Sequence, residues 1–233
     1  MSDPLAGAIL VGAGRSQRMG GVDKTLAPLA GRPVAAWALS AFVGCDGISA
    51  IVLVSGERNH EPLAALAAGA GGKVVGVVPG GVTRSDSVRA GLNCLTQQAE
   101  VGLVSVHDMA RPLITAADIE RGLALAAEHG AAIAGAPVTD TIKTVDDSEM
   151  IQSTLDRTVL RAAQTPQTFR LELLQRAHRG GVRDASDDAM LVEALAEPVV
   201  VYACVGLNLK ITTAEDLRIA EELLAARGKG SGP

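Results

Sequence analysis

Leu10-Val11-Gly12-Ala13-Gly14-Arg15-Ser16-Gln17-Arg18-Met19-Gly20-Gly21-Val22-Asp23-Lys24-Thr25 is the stretch on which the reading of the chain turns. It follows the apolar run Ala6 to Val11, AGAILV, which reads as a buried strand of an α/β sheet. Glycines let backbone approach a ligand closely, and exposed N–H groups with Arg15, Arg18 and Lys24 among them suit a polyphosphate. The plainer reading is a strand-to-helix turn with solvated charges. Two familiar phosphate loops fail here. A dinucleotide fingerprint needs glycine where Gln17 stands, and an acid about twenty residues on, where the chain reads RPVAA. A P-loop needs glycine before its lysine, where this chain has Asp23.

Working outward, apolar runs at 48–54, 73–78, 102–106 and 131–138 alternate with helical segments at 33–42, 61–68, 83–95 and 116–128. That rhythm predicts a three-layer, Rossmann-like α/β sandwich with a mostly parallel sheet. It breaks at 139–154, where TDTIKTV and MIQST flank a polar Asp146-Asp147-Ser148 turn and read as a protruding β-hairpin. The hairpin has little apolar surface of its own, so it must lean on something, a second subunit included. Helices at 171–178, from Asp187, and at 214–226, with a strand at 198–205, complete the chain as one domain, 1–233. Thr83 or Ser85 is the expected N-cap of the helix after Gly80-Gly81, and Thr213 with Asp216 has capping-box spacing. Asp108 and Arg111 lie just past a strand end, placed for hydroxyls, a metal or a phosphate, or simply for each other. His107 reads as structural.

Composition narrows the function. The 233 residues are 48% hydrophobic and 2% aromatic, with net charge −5. Few aromatics and an acidic balance argue against a nucleic-acid binder, so the cations serve locally. Cys45, Cys94 and Cys204 are widely spaced, which suits a reducing compartment and no zinc site. With no basic leader and no membrane-length apolar run, a cytoplasmic protein is expected.

Taken together, the motifs G-A-G-x-x-x-R-M with a following lysine, G-G-x-x-R-x-D-S-V, V-H-D-x-A-R-P, P-V-x-D-T-I-K, D-R…Q-T-P-Q and N-x-K-I-T-x-x-E-D-L resemble the 2-C-methyl-D-erythritol 4-phosphate cytidylyltransferase family along nearly the whole chain. The resemblance implies CMP transfer from CTP to that polyol phosphate, with release of pyrophosphate. Carried over position by position, Gly12, Ala13 and Gly14 would hold the triphosphate. Arg18 and Lys24 would stabilise the transition state. Backbone near Gly81 and the Ser87 hydroxyl would read cytosine. Asp108 and Arg111 would lie between nucleotide and sugar phosphate, with Thr141 beside the acceptor. Arg157, Thr165 and Lys210 would grip the acceptor phosphate. The resemblance also implies Mg²⁺ bound mainly through CTP phosphates. It implies a homodimer in which a β-arm at about 139–157 is exchanged and Arg157 and Thr165 come from the partner's arm. The chain departs from the family pattern at Ser16, at Asp23, which stands against Lys24 and reads as partly neutralising it, and in the apolar segment Cys204 to Leu209. A ribitol 5-phosphate cytidylyltransferase shares most of these motifs, and a nucleotide-binding protein without catalysis is the reading from another class.

Overall fold

The computed structural model describes residues 5–14, 23–180 and 185–229. In chain order the elements are β1 (Ala6–Val11), β2 (Pro28–Leu29), β3 (Arg32–Pro33), α1 (Val34–Val43), β4 (Ile48–Ser55), α2 (His60–Gly69), β5 (Val74–Pro79), α3 (Arg84–Gln98), β6 (Leu103–Asp108), α4 (Ala116–His129), β7 (Ala131–Pro137), β8 (Lys143–Val145), β9 (Ile151–Thr154), β10 (Arg161–Arg170), α5 (Leu171–Arg179), α6 (Asp188–Glu193), β11 (Val200–Tyr202) and α7 (Ala214–Lys229).

Seven strands form one sheet in the order β11-β7-β10-β6-β1-β4-β5. β10 pairs antiparallel with β6 and with β7, while the pairs β1–β4, β1–β6, β4–β5 and β11–β7 are parallel. The Rossmann-like, mostly parallel sandwich expected from the sequence is therefore the fold. Apolar runs such as ISAIVLVS make central strands because both faces of the sheet are covered. One layer packs Leu10, Leu39, Phe42, Ile51 and Leu63; the other packs Ile9, Val52, Val88, Val104 and Phe169. α3 lies unusually close to β1. A Cβ on Gly91 would come within 2.5 Å of Ile9 Cγ2, and one on Gly7 within 2.6 Å of Leu95 Cδ2. That closeness fixes where the N-terminus of α3 meets the end of β1.

The strand β10 is a correction. The sequence reading assigns no element to the segment containing QTPQT, yet it runs through the middle of the sheet. Pro166 falls inside a register shift between Ala163 and Gln167, where a missing N–H costs no ladder bond. The polar residues are paired: Thr168 Oγ1 donates to Ser105 Oγ at 3.0 Å, and Gln167 Oε1 accepts from the Asp188 and Ala189 amides that open α6. Pro33 is the cap before α1 rather than its first residue, and the strand placed at 198–205 is three residues long. β8 and β9 form a separate two-stranded ribbon, the expected hairpin, closed by Asp146 Oδ1 accepting from Ser148 N and Met150 N. Every residue of β8 and β9 is exposed.

Candidate active site

The parallel strands β1, β4, β5 and β6 carry their C-terminal ends to one edge, where ligand crevices of such sheets lie. A cavity of about 250 Å³ opens there. Its wall brings together Gly12, Ala13 and Gly14 after β1, Lys24 and Thr25, the segment Gly81 to Arg84 with Ser87, Asp108 and Ala110 after β6, and Lys210.

The loop after β1 is pinned by Gly12 N donating to Val54 O at 2.7 Å. A side chain on Gly12 would collide with Met109 Sδ at 2.8 Å, so the backbone itself must form this wall. Opposite it, Gly80 N donates to Ser55 O at 2.7 Å, and a Cβ on Gly81 would sit 2.2 Å from Asp86 Cβ. The turn from β5 into α3 is thus packed too tightly for any residue but glycine. Thr83 caps α3: its Oγ1 accepts from Asp86 N at 3.0 Å, and Asp86 Oδ2 accepts from Thr83 N at 3.1 Å. Hydrogen bonds from the Thr83 side chain and from its backbone N–H hold the Asp86 carboxyl below its usual range. The Ser87 hydroxyl accepts from Gly81 N at 3.1 Å and donates to Thr83 O at 3.0 Å. It shapes the turn from within.

Charge is concentrated around Asp108. Its Oδ2 accepts from Lys210 Nζ at 2.6 Å and its Oδ1 lies 3.6 Å from Arg84 Nε. Burial alone would raise this carboxyl, but Lys210 and Arg84 outweigh it and hold the group at about 2. Arg84 continues the chain of charges through Nη1 to the buried Asp188 at 2.6 Å, which His178 meets at 3.1 Å on its other oxygen. Among the described residues, Lys24, Arg84 and Lys210 therefore face the cavity against a single carboxylate, in a molecule of net charge −5. Such local positive charge concentrates anions.

Behind the cavity lies a directed hydrogen-bond chain. His107 is fully buried, and loss of solvation pushes its pKa down to about 4, so the ring is neutral. Nε2 faces Arg111 O at 3.2 Å and must carry the proton. Nδ1 then accepts from Thr165 Oγ1 at 3.1 Å, and that oxygen accepts from Asp108 N at 3.0 Å. Every group has one donor and one acceptor role, which leaves His107 structural, as expected. Arg111 is buried too; its Nη1 donates to Asn208 O at 2.8 Å, and it supports the segment before Lys210 instead of pairing directly with Asp108.

The cavity thus collects Gly12, Ala13, Gly14, Lys24, Gly81, Ser87, Asp108 and Lys210 from the residues expected by sequence. Arg111 and Thr165 stand behind it. Thr165 is the second correction: it does not come from a partner's arm, because it lies in the central strand β10, buried in its own subunit. Thr141 and Arg157 are exposed near the hairpin and do not line this cavity; Arg157 Nη1 donates to Thr139 O. Arg18, with Arg15 and Ser16, lies outside the described residues. Arg84 escaped the sequence reading although it sits in a quoted motif, because base reading was assigned to Gly81 and Ser87 and its two acid partners lie 24 and 104 residues away.

The chain is similar to known proteins along most of its length. The family of 2-C-methyl-D-erythritol 4-phosphate cytidylyltransferases matches residues 6–226. A 2-C-methyl-D-erythritol 4-phosphate cytidylyltransferase from Dehalococcoides mccartyi is 42% identical over 219 residues, covering 94% of this chain and 95% of its own. Among solved structures, the enzyme of that name from Thermus thermophilus is 32% identical with a TM-score of 0.75, covering 94% of this chain and 98% of its own. A 4-diphosphocytidyl-2C-methyl-D-erythritol synthase from Anaerococcus prevotii is 26% identical with a TM-score of 0.83, covering 95% of this chain and 96% of its own.

Proposed function

The chain belongs to the 2-C-methyl-D-erythritol 4-phosphate cytidylyltransferase family, an enzyme family of CTP-dependent cytidylyl transfer in the non-mevalonate pathway, and from that premise we propose how its own residues carry out the transfer. The observation that carries the reading is the meeting of Gly12 to Gly14, Lys24, Gly81, Ser87, Asp108 and Lys210, distant in sequence, around one cavity.

A phosphate oxygen of 2-C-methyl-D-erythritol 4-phosphate attacks the α-phosphorus of CTP in line. The new O–P bond forms as the bond to the α–β bridging oxygen breaks, and pyrophosphate leaves. The acceptor is already an anion at neutral pH, so no general base is needed. Asp108, held at about 2 by two cations, is a poor base, and His107 has both nitrogens engaged. Catalysis then rests on positioning and charge neutralisation. Gly12, its own amide bonded to Val54 O, holds the loop in place, and the backbone amides of Ala13 and Gly14 face the triphosphate. Lys24, with Arg18, neutralises charge that develops on the α-phosphate and the leaving group. The Gly81–Ser87 turn presents backbone edges to the base. Lys210, oriented by Asp108, meets the acceptor phosphate.

Among the described residues, Asp108 is the one carboxylate on the wall, and Lys210 and Arg84 already share it. That donor set would suit Mg²⁺ held mainly by phosphate oxygens and water, with Asp108 the carboxylate available to it. When bound, the ion offsets charge on the phosphates.

The working form is a homodimer. On and around the hairpin, Met150, Ile151 and Val159 are 65%, 64% and 76% exposed, an apolar surface that a second subunit would cover. Arg157 and Thr141 would then serve the partner's acceptor pocket. Free thiols at Cys45, Cys94 and Cys204 suit the cytoplasm. No helix among the described residues is long and apolar enough to cross a membrane.

The test is Mg²⁺-dependent pyrophosphate release from CTP, with 2-C-methyl-D-erythritol 4-phosphate and ribitol 5-phosphate run side by side. Release with the first and not the second is expected. Release with ribitol 5-phosphate alone overturns the acceptor assignment, and silence with both in a folded, CTP-binding protein overturns catalysis.

A further inference from the structure

Asn59 carries no charge and is not on the wall of the cavity described above, yet it is completely buried where Gly12 and the Asp23–Thr25 turn come together. It ends the short 3₁₀ turn Glu57–Asn59 after β4. Its Oδ1 accepts from Gly56 N at 2.7 Å. Its Nδ2 faces three oxygens: Gly12 O at 3.0 Å, Asp23 Oδ2 at 2.8 Å and Thr25 Oγ1 at 3.0 Å. The surroundings dictate the amide orientation, since the reverse would set Oδ1 against three oxygens and Nδ2 against an N–H.

The turn that Asn59 grips is tied at several other points. Asp23 Oδ1 accepts from Thr25 N at 2.9 Å and from Thr25 Oγ1 at 2.7 Å. Asp23 O accepts from the amides of Leu26 and Ala27, and Thr25 O accepts from Ala35 N at the start of α1. Both neighbours of Lys24 are therefore immobilised, and the same carboxamide holds the carbonyl of Gly12. A lysine side chain is a long flexible stem, so its head can be aimed only if its backbone is fixed. A displacement of about 1 Å in such a group costs on the order of a hundredfold in rate.

We propose that Asn59, with Asp23 as its partner, is a positioning residue for Lys24, locking the Asp23–Thr25 turn to the Gly12 carbonyl so that the lysine backbone and Gly12 act as one rigid unit. The proposal rests on the reading of Lys24 as a transition-state cation. It also accounts for Asp23, since both oxygens of that carboxylate are committed to the turn.

The experiment compares Asn59→Ala, Asp23→Asn, Lys24→Ala and the double variant Asn59→Ala/Lys24→Ala. Each is assayed for kcat and KM with CTP and 2-C-methyl-D-erythritol 4-phosphate, and melting curves give the folded fraction. Asp23→Asn sets an NH₂ group against Asn59 Nδ2 at a half-buried site, so it carries the test if Asn59→Ala fails to fold. Per folded molecule, kcat should fall about tenfold to a hundredfold in both single variants. In the Lys24→Ala background, with the residual rate followed by radiolabelled CTP, Asn59→Ala should add little, because the residue acts through the lysine. Values of kcat within about twofold of wild type in both variants would overturn the clamp. An equal fold-loss with and without Lys24 would reduce Asn59 to general support and overturn it as well. Near-normal turnover in Lys24→Ala overturns the reading of the lysine itself, a failure visible in that variant alone.

Discussion

Lys24 and Lys210 face the same cavity but should fail differently when removed. Lys24 is read as meeting charge that develops during transfer, so Lys24→Ala should lower kcat by about a hundredfold to a thousandfold, as loss of an oxyanion donor does, while the melting temperature stays close to wild type. Steady-state kinetics and a thermal melt check both halves of that statement. Asp108 makes a prediction in pH. Its carboxyl is depressed from an ordinary 3.8 to about 2 by Lys210 and Arg84. A depressed acid contributes stability above its unfolded value and loses it as pH falls toward the folded value. On the order of 2 kcal/mol should therefore disappear between about pH 4 and pH 2. Asp108→Asn should be less stable than wild type at pH 6, and the gap should close over that window in acid unfolding curves. At this scale the sequence was informative where chemistry is carried by the residue type: glycine beside cation, acid beside strand end. It was silent on Asn59 and Arg84, whose roles depend on partners far along the chain, such as Gly12 and Asp188.

Among the elements, β10 controls how the surroundings of Asp108 are built. Thr165 sits in it and reaches the Asp108 amide, and Gln167 reaches from it to the first amides of α6, whose Asp188 anchors Arg84. One strand thus supports both sides of Asp108. Gln167→Ala would leave the Asp188 and Ala189 amides without their acceptor inside the protein. The cost should be about 1–3 kcal/mol in urea unfolding, with a fall in kcat smaller than that of Lys24→Ala. Equal stability of the two proteins would show that water replaces the glutamine. The alternating apolar runs of β1, β4 and β6 announced themselves because burial on both sheet faces demands them. β10 did not, because its buried polar residues are satisfied by specific partners and its proline occupies a register shift. Neither leaves a trace in periodicity.

For the molecule as a whole, the decisive question is where Arg157 works. It stands at the base of the hairpin, exposed, bonded to Thr139 O and absent from the wall of its own cavity. The sequence could show a hairpin lacking a core of its own. It could not show what covers that hairpin, since the covering surface is not encoded in the hairpin's own residues. If arms are exchanged, each active site combines Lys24 of one subunit with Arg157 of the other. Lys24→Ala and Arg157→Ala homodimers should then both be impaired at low acceptor concentration. After the two are unfolded and refolded together, random pairing makes half the dimers mixed. Each mixed dimer holds one site with both defects and one with neither, so activity should recover to about a quarter of wild type. Were Arg157 to act within its own subunit, every site would keep one defect and no recovery would occur. Replacing Ile151 by Asp should remove the recovery along with the dimer, because a charge would be buried in the covered apolar face, and light scattering would report the monomer.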